Sequence, residues 1–315
     1  MFVIPLACSS ILQQLFNSAD VAVVGRFAGD KALAAVGSCV ALVGIFVNLN
    51  VGLSVGPNAV LANLIGQQQR KRINGMVHTI LTFGVLTGIV LMFTGMAVAR
   101  LVLEASGTPA SVIDEALLYI RIYFISIPFM VIYNFGSAIL RSYGDSRRPM
   151  YYLLASGTVN VILNLIFVIC FSMGVEGVAI ATLISNILSA ALVLIHLYRR
   201  EDEFQFRFHQ MPTSTAVAAF GLSRLHHVCS LEGLTATYEV ESAALRGMGK
   251  SLEPSIITVL GTVVFRVIWL LTVFKMVPTY EMLMNVYVAS WIFTGGSLLL
   301  IYLKHMRKLE KKAIK

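Results

Sequence analysis

Long apolar runs separated by short polar stretches make up most of this chain. A run of about 20 apolar residues is long enough for an α-helix to cross the hydrocarbon core of a bilayer. The pattern therefore predicts an all-α, polytopic bundle of about nine transmembrane helices. These spans lie at about residues 1–24, 33–61, 76–99, 117–140, 150–173, 177–198, 228–245, 255–274 and 282–303.

The composition agrees with a membrane protein, because 57% of the residues are hydrophobic and only 13% are charged. Soluble domains carry about 25% charged residues. The net charge of +8 arises in short loops and a basic tail, so it indicates no nucleic-acid partner. The four cysteines lack CxxC spacing, and neither a metal site nor a disulfide is expected.

The distribution of basic residues predicts the orientation in the membrane. The loops around residues 66–74, 141–149 and 199–208 contain nine lysines and arginines, whereas the alternating loops contain three. Cytoplasmic loops of membrane proteins are enriched in lysine and arginine. The first set is therefore placed in the cytoplasm, and spans one to six form a consistent six-helix lobe over residues 1–200.

A sequence repeat connects the two parts of the chain. "AILRSYGDSRRP" (138–149) and "AALRGMGKSLEP" (243–254) share Ala, Leu, Arg, Gly, Ser and Pro at matching positions, 105 residues apart. Each copy ends one span and places a proline at the start of the next, where its missing N–H is tolerated. Tandem bundles with a shared signature are typical of transporters built from internal repeats.

The second copy follows too few spans to complete a second lobe. Compared with the first half, roughly 90–100 residues, enough for three spans, are missing between residue 200 and Arg246. One convincing span between two basic regions also gives an odd number of crossings, although both regions are expected in the cytoplasm. The predicted organisation is a lobe at 1–200, a junction at 201–227, a partial lobe at 228–305 and a basic cytoplasmic tail at 306–315.

Five segments resemble the multidrug and toxic compound extrusion (MATE) family. They are "ILQQLFNSADVAVVGRFAGDKALAAVG" (11–37), "GLSVGPNAVLANLIGQ" (52–67), "AILRSYGDSRRPMYYLLASGTVNVILNLIFV" (138–168), "GVEGVAIATLISN" (174–186) and "LTATYEVESAALRGMGKSLEPSIITVLGTVVFRVIWLLTVF" (234–274). The resemblance implies a MATE-like fold, in which twelve helices form two lobes, here reduced to lobe one and helices ten to twelve. It also implies secondary active export of drugs or organic cations.

Asp20 is the leading candidate for coupling chemistry. It lies within the first span, where a carboxylate is costly unless it binds a cation, takes up a proton or pairs with another group. Burial and a nearby cation change its proton affinity in opposite directions, so it can exchange H+ or Na+. The MATE resemblance matches Asp20 to the coupling acid of the first helix. The alternative is a side chain that caps the helix or reaches the outer interface.

Asn160 and Asn164 lie one helical turn apart and share a face of their helix. Two amide oxygens on one face can bind a hard cation such as Na+, although the pair can equally form hydrogen bonds between helices. Many MATE relatives carry Asp at the second position, so Asn164 removes one negative charge. The resemblance also matches Thr182 to an oxygen ligand, and the alternative is a hydroxyl bonded to its own helix.

Further polar and aromatic residues are assigned to a substrate cavity. Those in lobe one are Gln13, Gln14, Asn17 and Tyr133, of which the first three can equally hold helices together. Those in the seventh span are Glu232, Tyr238 and Glu239. Glu232 and Glu239 share a helix face and are predicted to form a second proton or cationic-drug site, as acidic residues of helix ten do in some relatives. The alternative is that they are boundary residues of a shortened segment.

The leading hypothesis is an antiporter of the bacterial cytoplasmic membrane that exchanges small cationic or amphipathic substrates for H+ or Na+. No cofactor is expected besides this ion. The sequence lacks GxxxxGK, HExxH and GxSxG motifs, which argues against an enzyme or an ATP-driven pump. Two alternatives stay open: a shortened, non-transporting remnant or half-assembly, and a flippase for lipid-linked oligosaccharides. The pattern predicts no particular oligomeric state.

Overall fold

The computed structural model describes residues 3–207, 241, 245, 252–276 and 280–313. Every regular element within these residues is a helix, which confirms the all-α class. The chain divides into two compact units, residues 1–228 and 229–315. The boundary between them lies next to the end of the junction predicted at residues 201–227.

The first unit consists of six consecutive helical segments over the described residues 3–198. Two of these segments end in a π-helical turn, in which the backbone is wider than in an α-helix. The bounds are α1 Val3–Val23 with π1 Val24–Ala28, α2 Asp30–Gly66, α3 Arg70–Ala105, α4 Ile113–Ser142, α5 Arg147–Leu165 with π2 Ile166–Cys170, and α6 Val175–Tyr198. The six segments overlap the six spans predicted for lobe one.

Four helices of the described chain are long and apolar enough to cross a membrane by length and composition. They expose large apolar side chains, including Phe93 (62% exposed) and Leu101 (70% exposed), as helices that face lipid do. The total of about nine spans stays a prediction, since most of the seventh lies outside the described residues. The four helices are Arg72–Ala105, Ile113–Ser142, Arg147–Cys170 and Val175–Tyr198.

α4 lies at the centre of the first unit and packs against α2, α3 and α6. Two glycines of α3 permit the close approach of α3 to α4. A Cβ atom at Gly88 would lie 2.7 Å from the Cα of Pro128, and one at Gly95 would lie 2.4 Å from the ring of Phe124. Small residues at such interfaces allow helices in membranes to pack closely. α1 packs mainly against α5, which brings together the two helices that carry Asp20 and the asparagine pair.

Residues 199–207, which we call the strap, follow α6 and pack back on the first unit. His78 of α3 is buried and forms a hydrogen bond with the last residue of the strap. Its Nδ1 lies 2.8 Å from the carbonyl oxygen of Asn74, and its Nε2 accepts the backbone N–H of Arg207 at 3.0 Å. Because Nε2 is an acceptor, the ring is neutral and carries its hydrogen on Nδ1.

Arg200, at the beginning of the strap, packs on Tyr143 and forms a hydrogen bond with Asp202. Its guanidinium lies 4.0 Å from the centre of the Tyr143 ring, and its Nε donates to Oδ1 of Asp202 at 2.8 Å. This hydrogen bond from Arg200 lowers the pKa of Asp202. Phe204 and Phe206 are 5% and 3% exposed, so they join the core of the first unit. The strap is therefore a packed element and not a free connection.

The described part of the second unit is a helical hairpin. It contains α7 Leu252–Val259, π3 Leu260–Val264, α8 Phe265–Leu271, α9 Val273–Met276 and α10 Tyr280–Ala313. Arg266 links the two arms, because its Nε donates to Oγ of Ser290 at 3.0 Å.

Candidate functional site

Four polar side chains predicted from the sequence meet between α1, α5 and α6. Asn164 donates through Nδ2 to Oδ1 of Asp20 at 2.5 Å and to Oδ1 of Asn160 at 3.3 Å. The Nδ2 of Asn160 donates in turn to Oγ1 of Thr182 at 3.4 Å. The four side chains form one hydrogen-bonded chain across three helices.

Close packing of α1 on α5 explains why the chain forms. Gly157 of α5 faces α1, and a Cβ atom there would lie 1.9 Å from the ring of Phe16. Phe16 precedes Asp20 by four residues and Gly157 precedes Asn164 by seven, so each lies on the same helix face as the polar residue. The contact between glycine and ring thus sets the distance at which the carboxylate and the amide meet.

Asn164 has an acceptor atom without a donor. Its side chain is fully buried, and its NH2 group is directed to Asp20 and Asn160. Its Oδ1 has no hydrogen-bond partner among the described residues. A buried acceptor without a donor is costly, and such atoms need a physical explanation. Beside a carboxylate, this oxygen is suited to bind a cation.

Thr182 forms the hydrogen bond to its own helix that the sequence allows, and its role as an ion ligand stays a prediction. Its hydroxyl donates to the carbonyl oxygen of Val178, one turn earlier on α6, at 3.0 Å. The same oxygen accepts the amide of Asn160. Because the hydroxyl hydrogen is used within the helix, the oxygen of Thr182 acts towards the site only as an acceptor.

Two buried tyrosines that the sequence does not single out lie next to each other on α4. Tyr119 and Tyr123 of α4 are 7% and 8% exposed, and the centres of their rings are 6.1 Å apart. Both lie within electrostatic reach of the Asp20 carboxylate. Their spacing of four residues on one face of a span is the signal that could identify them, because buried tyrosine hydroxyls need polar neighbours.

Both helices that carry the Asp20–Asn164 pair change to π geometry just beyond it. π1 begins four residues after Asp20, π2 begins two residues after Asn164, and the two turns pack together. π-helical turns are frequent at functional sites. An open groove of about 350 Å³ lies beside them and is lined by Phe27, Ala28, Val168, Ile169, Ser172, Met173 and Gly174.

The other predicted site residues are not assembled into a cavity by the described structure. Gln13 is half-buried on α1. Tyr133 is buried, and its hydroxyl donates to the carbonyl oxygen of Pro149 at 2.9 Å. Their role in substrate binding stays a prediction. The side chains of Gln14 and Asn17, and the whole of Glu232, Tyr238 and Glu239, lie outside the described residues.

Comparison with known proteins gives a family match and close relatives. The MatE family profile matches residues 5–166, about half of the chain. The "Probable multidrug resistance protein YoeA" of Bacillus subtilis is 32% identical over 210 residues, which cover 65% of this chain and 45% of that protein. The "Probable multidrug resistance protein YpnP" of the same organism is 34% identical over 189 residues, which cover 59% of this chain and 42% of that protein.

Solved structures agree on the fold. A crystal structure of MATE in the bent conformation superposes with a TM-score of 0.66 at 19% identity, covering 99% of this chain and 70% of that chain. The chain spans less than half of the length of the curated relatives it matches. With its long apolar helices, it is a multi-pass membrane protein. Because the family profile covers the helices that carry Asp20, Asn160 and Asn164, the chain belongs to the MatE family of multidrug and toxic compound extrusion proteins.

Proposed function

We propose that this chain couples the movement of a small cation, H+ or Na+, to the export of cationic or amphipathic molecules across the bacterial cytoplasmic membrane. The names of its relatives, which refer to multidrug resistance, support the class of substrate. The observation that carries the proposal is the pair formed by Asp20 and Asn164, a carboxylate bonded to a fully buried amide. The two groups provide oxygen atoms in a membrane-spanning segment. Burying such polar atoms in a membrane costs free energy, and those found there usually have a function.

Binding and release of the cation at Asp20 would drive the cycle. Without the cation, the Asp20 carboxylate is stabilised by the N–H of Asn164. A proton or Na+ neutralises the carboxylate, which changes the hydrogen bonds along Asn164, Asn160 and Thr182. An ion that binds one arrangement of these helices better than another shifts the population towards it. Rocking between the two halves of the transporter then exposes the substrate site to alternate sides.

The charge of the site supports the exchange of one monovalent cation in each cycle. Asp20 contributes one formal negative charge, and the described side chains hydrogen-bonded around it are amides and a hydroxyl. A second carboxylate, which would favour a divalent ion or two cations, is replaced by Asn164. The proposed stoichiometry follows from this substitution.

Efflux of ethidium from proteoliposomes tests the proposal. An imposed gradient of H+ or Na+ is expected to drive efflux in the wild-type protein and not in Asp20→Asn, which keeps the size of the side chain and removes its charge. Asp30→Asn is a matched control, because Asp30 is exposed at the start of α2. Efflux that is equal in Asp20→Asn and Asp30→Asn would exclude Asp20 as the coupling acid.

A non-transporting remnant or half-assembly is the second candidate. The observation that favours it is the coverage of the curated relatives, of which the matched region spans less than half. A remnant should be degraded or should require another chain, whereas a transporter should accumulate in the membrane. Quantifying the protein in membranes, alone and with co-expressed relatives, separates the two. Full efflux by the purified chain contradicts the remnant.

A further inference from the structure

A second polar contact joins α6 to α4 one helical turn from Thr182. Asn186 donates through Nδ2 to Oγ of Ser126 at 3.1 Å. Ser126 is fully buried, and its hydroxyl donates to the carbonyl oxygen of Tyr123 at 2.7 Å. Asn186 and Thr182 are four residues apart and share a face of α6. The contact is therefore next to the candidate site and is not part of the chain that begins at Asp20.

The two polar contacts together connect four helices in series. From Asp20 on α1, the hydrogen bonds lead through Asn164 and Asn160 on α5 to Thr182 on α6. One turn along α6, the bond from Asn186 leads to Ser126 on α4, whose hydroxyl is bonded to the backbone of Tyr123.

We infer that Asn186 and Ser126 are positioning residues, which fix the register of α6 against α4 so that Thr182, one turn from Asn186, keeps its place in the hydrogen-bonded chain when the cation binds at Asp20. The inference rests on the proposed function, because it concerns the ion site of that function. Without this contact, α4 and α6 stay packed together, but the turn of α6 that carries Thr182 loses the hydrogen bond that fixes its register against α4. The cation would then meet a less well-organised set of oxygen atoms, and preorganisation contributes directly to affinity.

The contact between Asn186 and Ser126 can be removed without leaving a buried hydrogen-bond donor unpaired. In Asn186→Leu, the hydroxyl of Ser126 keeps its bond to the carbonyl oxygen of Tyr123, so that no buried donor loses its acceptor. Ser189→Ala is a matched control. Ser189 is buried on the same helix, and its hydroxyl donates to the carbonyl oxygen of Asn186, so this variant removes a hydroxyl from α6 and leaves the partners of the Asn186–Ser126 hydrogen bond in place.

The measurement is equilibrium binding of H+ and Na+ to the purified protein, followed by the infrared carboxyl band that disappears in Asp20→Asn. The other titratable groups around Asp20 are Tyr119 and Tyr123, with Cys39 beyond Tyr119. We expect the Na+ concentration at half-occupancy to rise about threefold to tenfold in Asn186→Leu, as for the loss of one interhelical hydrogen bond. If H+ is the ion, the midpoint of the carboxyl band should move by the same factor.

Ser126→Ala should give the same change, and the double variant should add little to it, because both substitutions break one contact. Equal midpoints in Asn186→Leu and Ser189→Ala, or additive effects in the double variant, would overturn the inference. The outcome is distinct from that of the efflux test. Ion binding that responds to Asn186 in a chain that does not export ethidium supports the positioning role and contradicts the proposed transport.

Discussion

At the scale of single residues, the site depends on the orientation of the Asn164 side-chain amide. Asn164 directs its NH2 group to Asp20 and Asn160 and keeps its oxygen buried without a donor among the described residues. An aspartate at this position could not donate to Asp20 and would repel it unless a proton or cation lay between them. The asparagine therefore adds an acceptor to the site without adding charge.

Asn164→Leu should slow gradient-driven efflux by at least about tenfold, since a hydrogen bond to a charged group contributes about 1.5–3 kcal/mol. The leucine offers neither the N–H that stabilises the Asp20 carboxylate nor the oxygen that could bind a cation. Efflux of ethidium from proteoliposomes measures the effect.

Asn134→Leu is the control for this substitution. Asn134 is a buried asparagine of α4 that donates to its own helix, at the carbonyl oxygen of Met130. An equal loss of efflux in both variants would show that a buried asparagine is needed for folding and not at the site in particular.

At the scale of helices, the sequence predicted the elements well and their contacts only in part. The apolar runs located α1 to α6, and the spacing of Asn160 and Asn164 placed two amides on one face. Spacing along one helix carries no information about which helix lies opposite, so Tyr119 and Tyr123 were missed. The strap was missed for a related reason, because its packing depends on His78, which lies 129 residues before Arg207.

The interface between α3 and α4 should be sensitive to a single methyl group at Gly88. In Gly88→Ala, the new Cβ atom would meet the backbone of Pro128, which cannot move away as a side chain could. We expect a loss of about 1–3 kcal/mol in the free energy of unfolding, as for other overpacked interiors. Thermal unfolding in detergent, compared with the wild type, measures the change.

Gly75→Ala provides the matched substitution on the same helix. No atom outside the local helix lies within 4 Å of a Cβ atom at Gly75, and the residue is exposed. Alanine should therefore be neutral or should stabilise α3 by up to about 1 kcal/mol. Similar losses in the two variants would mean that glycine is required throughout α3 and that contact with Pro128 is not the cause.

The strap should detach from the first unit more often when His78 of α3 is replaced by a residue without ring nitrogen atoms. His78→Phe keeps a ring against Phe206 and removes the bonds to Asn74 and Arg207. We expect tryptic cleavage after Arg207 to become about tenfold faster or more in inside-out vesicles, since cleavage follows the open population.

Thr79→Val controls for changes to the buried face of α3. Thr79 is next to His78 and bonds only to the carbonyl oxygen of Gly75 among the contacts that the structure describes. Cleavage that is equally fast in both variants, or unchanged in His78→Phe, contradicts the role of the histidine.

At the scale of the whole molecule, the topology predicts the sides of the membrane on which the end of π2 and the C-terminal tail lie. The loops rich in arginine are placed in the cytoplasm, so the end of π2 is expected outside. Cys170 is an exposed free cysteine at that end. The basic tail is expected inside, so an even number of crossings should separate it from the end of α6.

Labelling of intact cells with a membrane-impermeant maleimide tests this topology. Wild-type protein should be labelled at Cys170, and Cys170→Ser should lose that label. A cysteine introduced at Lys315 should react only after the membrane is permeabilised. Labelling of Lys315→Cys in intact cells would mean an odd number of crossings after α6 and would contradict the predicted cytoplasmic tail.

The repeat of 105 residues also shows what the second hairpin does not share with the first. Phe265 and Trp269 occupy the positions that correspond to Asn160 and Asn164, and the centres of their rings are 6.0 Å apart. Arg266 follows directly and adds a positive charge. The first hairpin thus carries two amides in the candidate site, whereas the second carries aromatic rings and a guanidinium at the corresponding place. Under the proposed function the repeat has become chemically asymmetric, and selection for ion use should act on residues 147–198 far more strongly than on their counterparts.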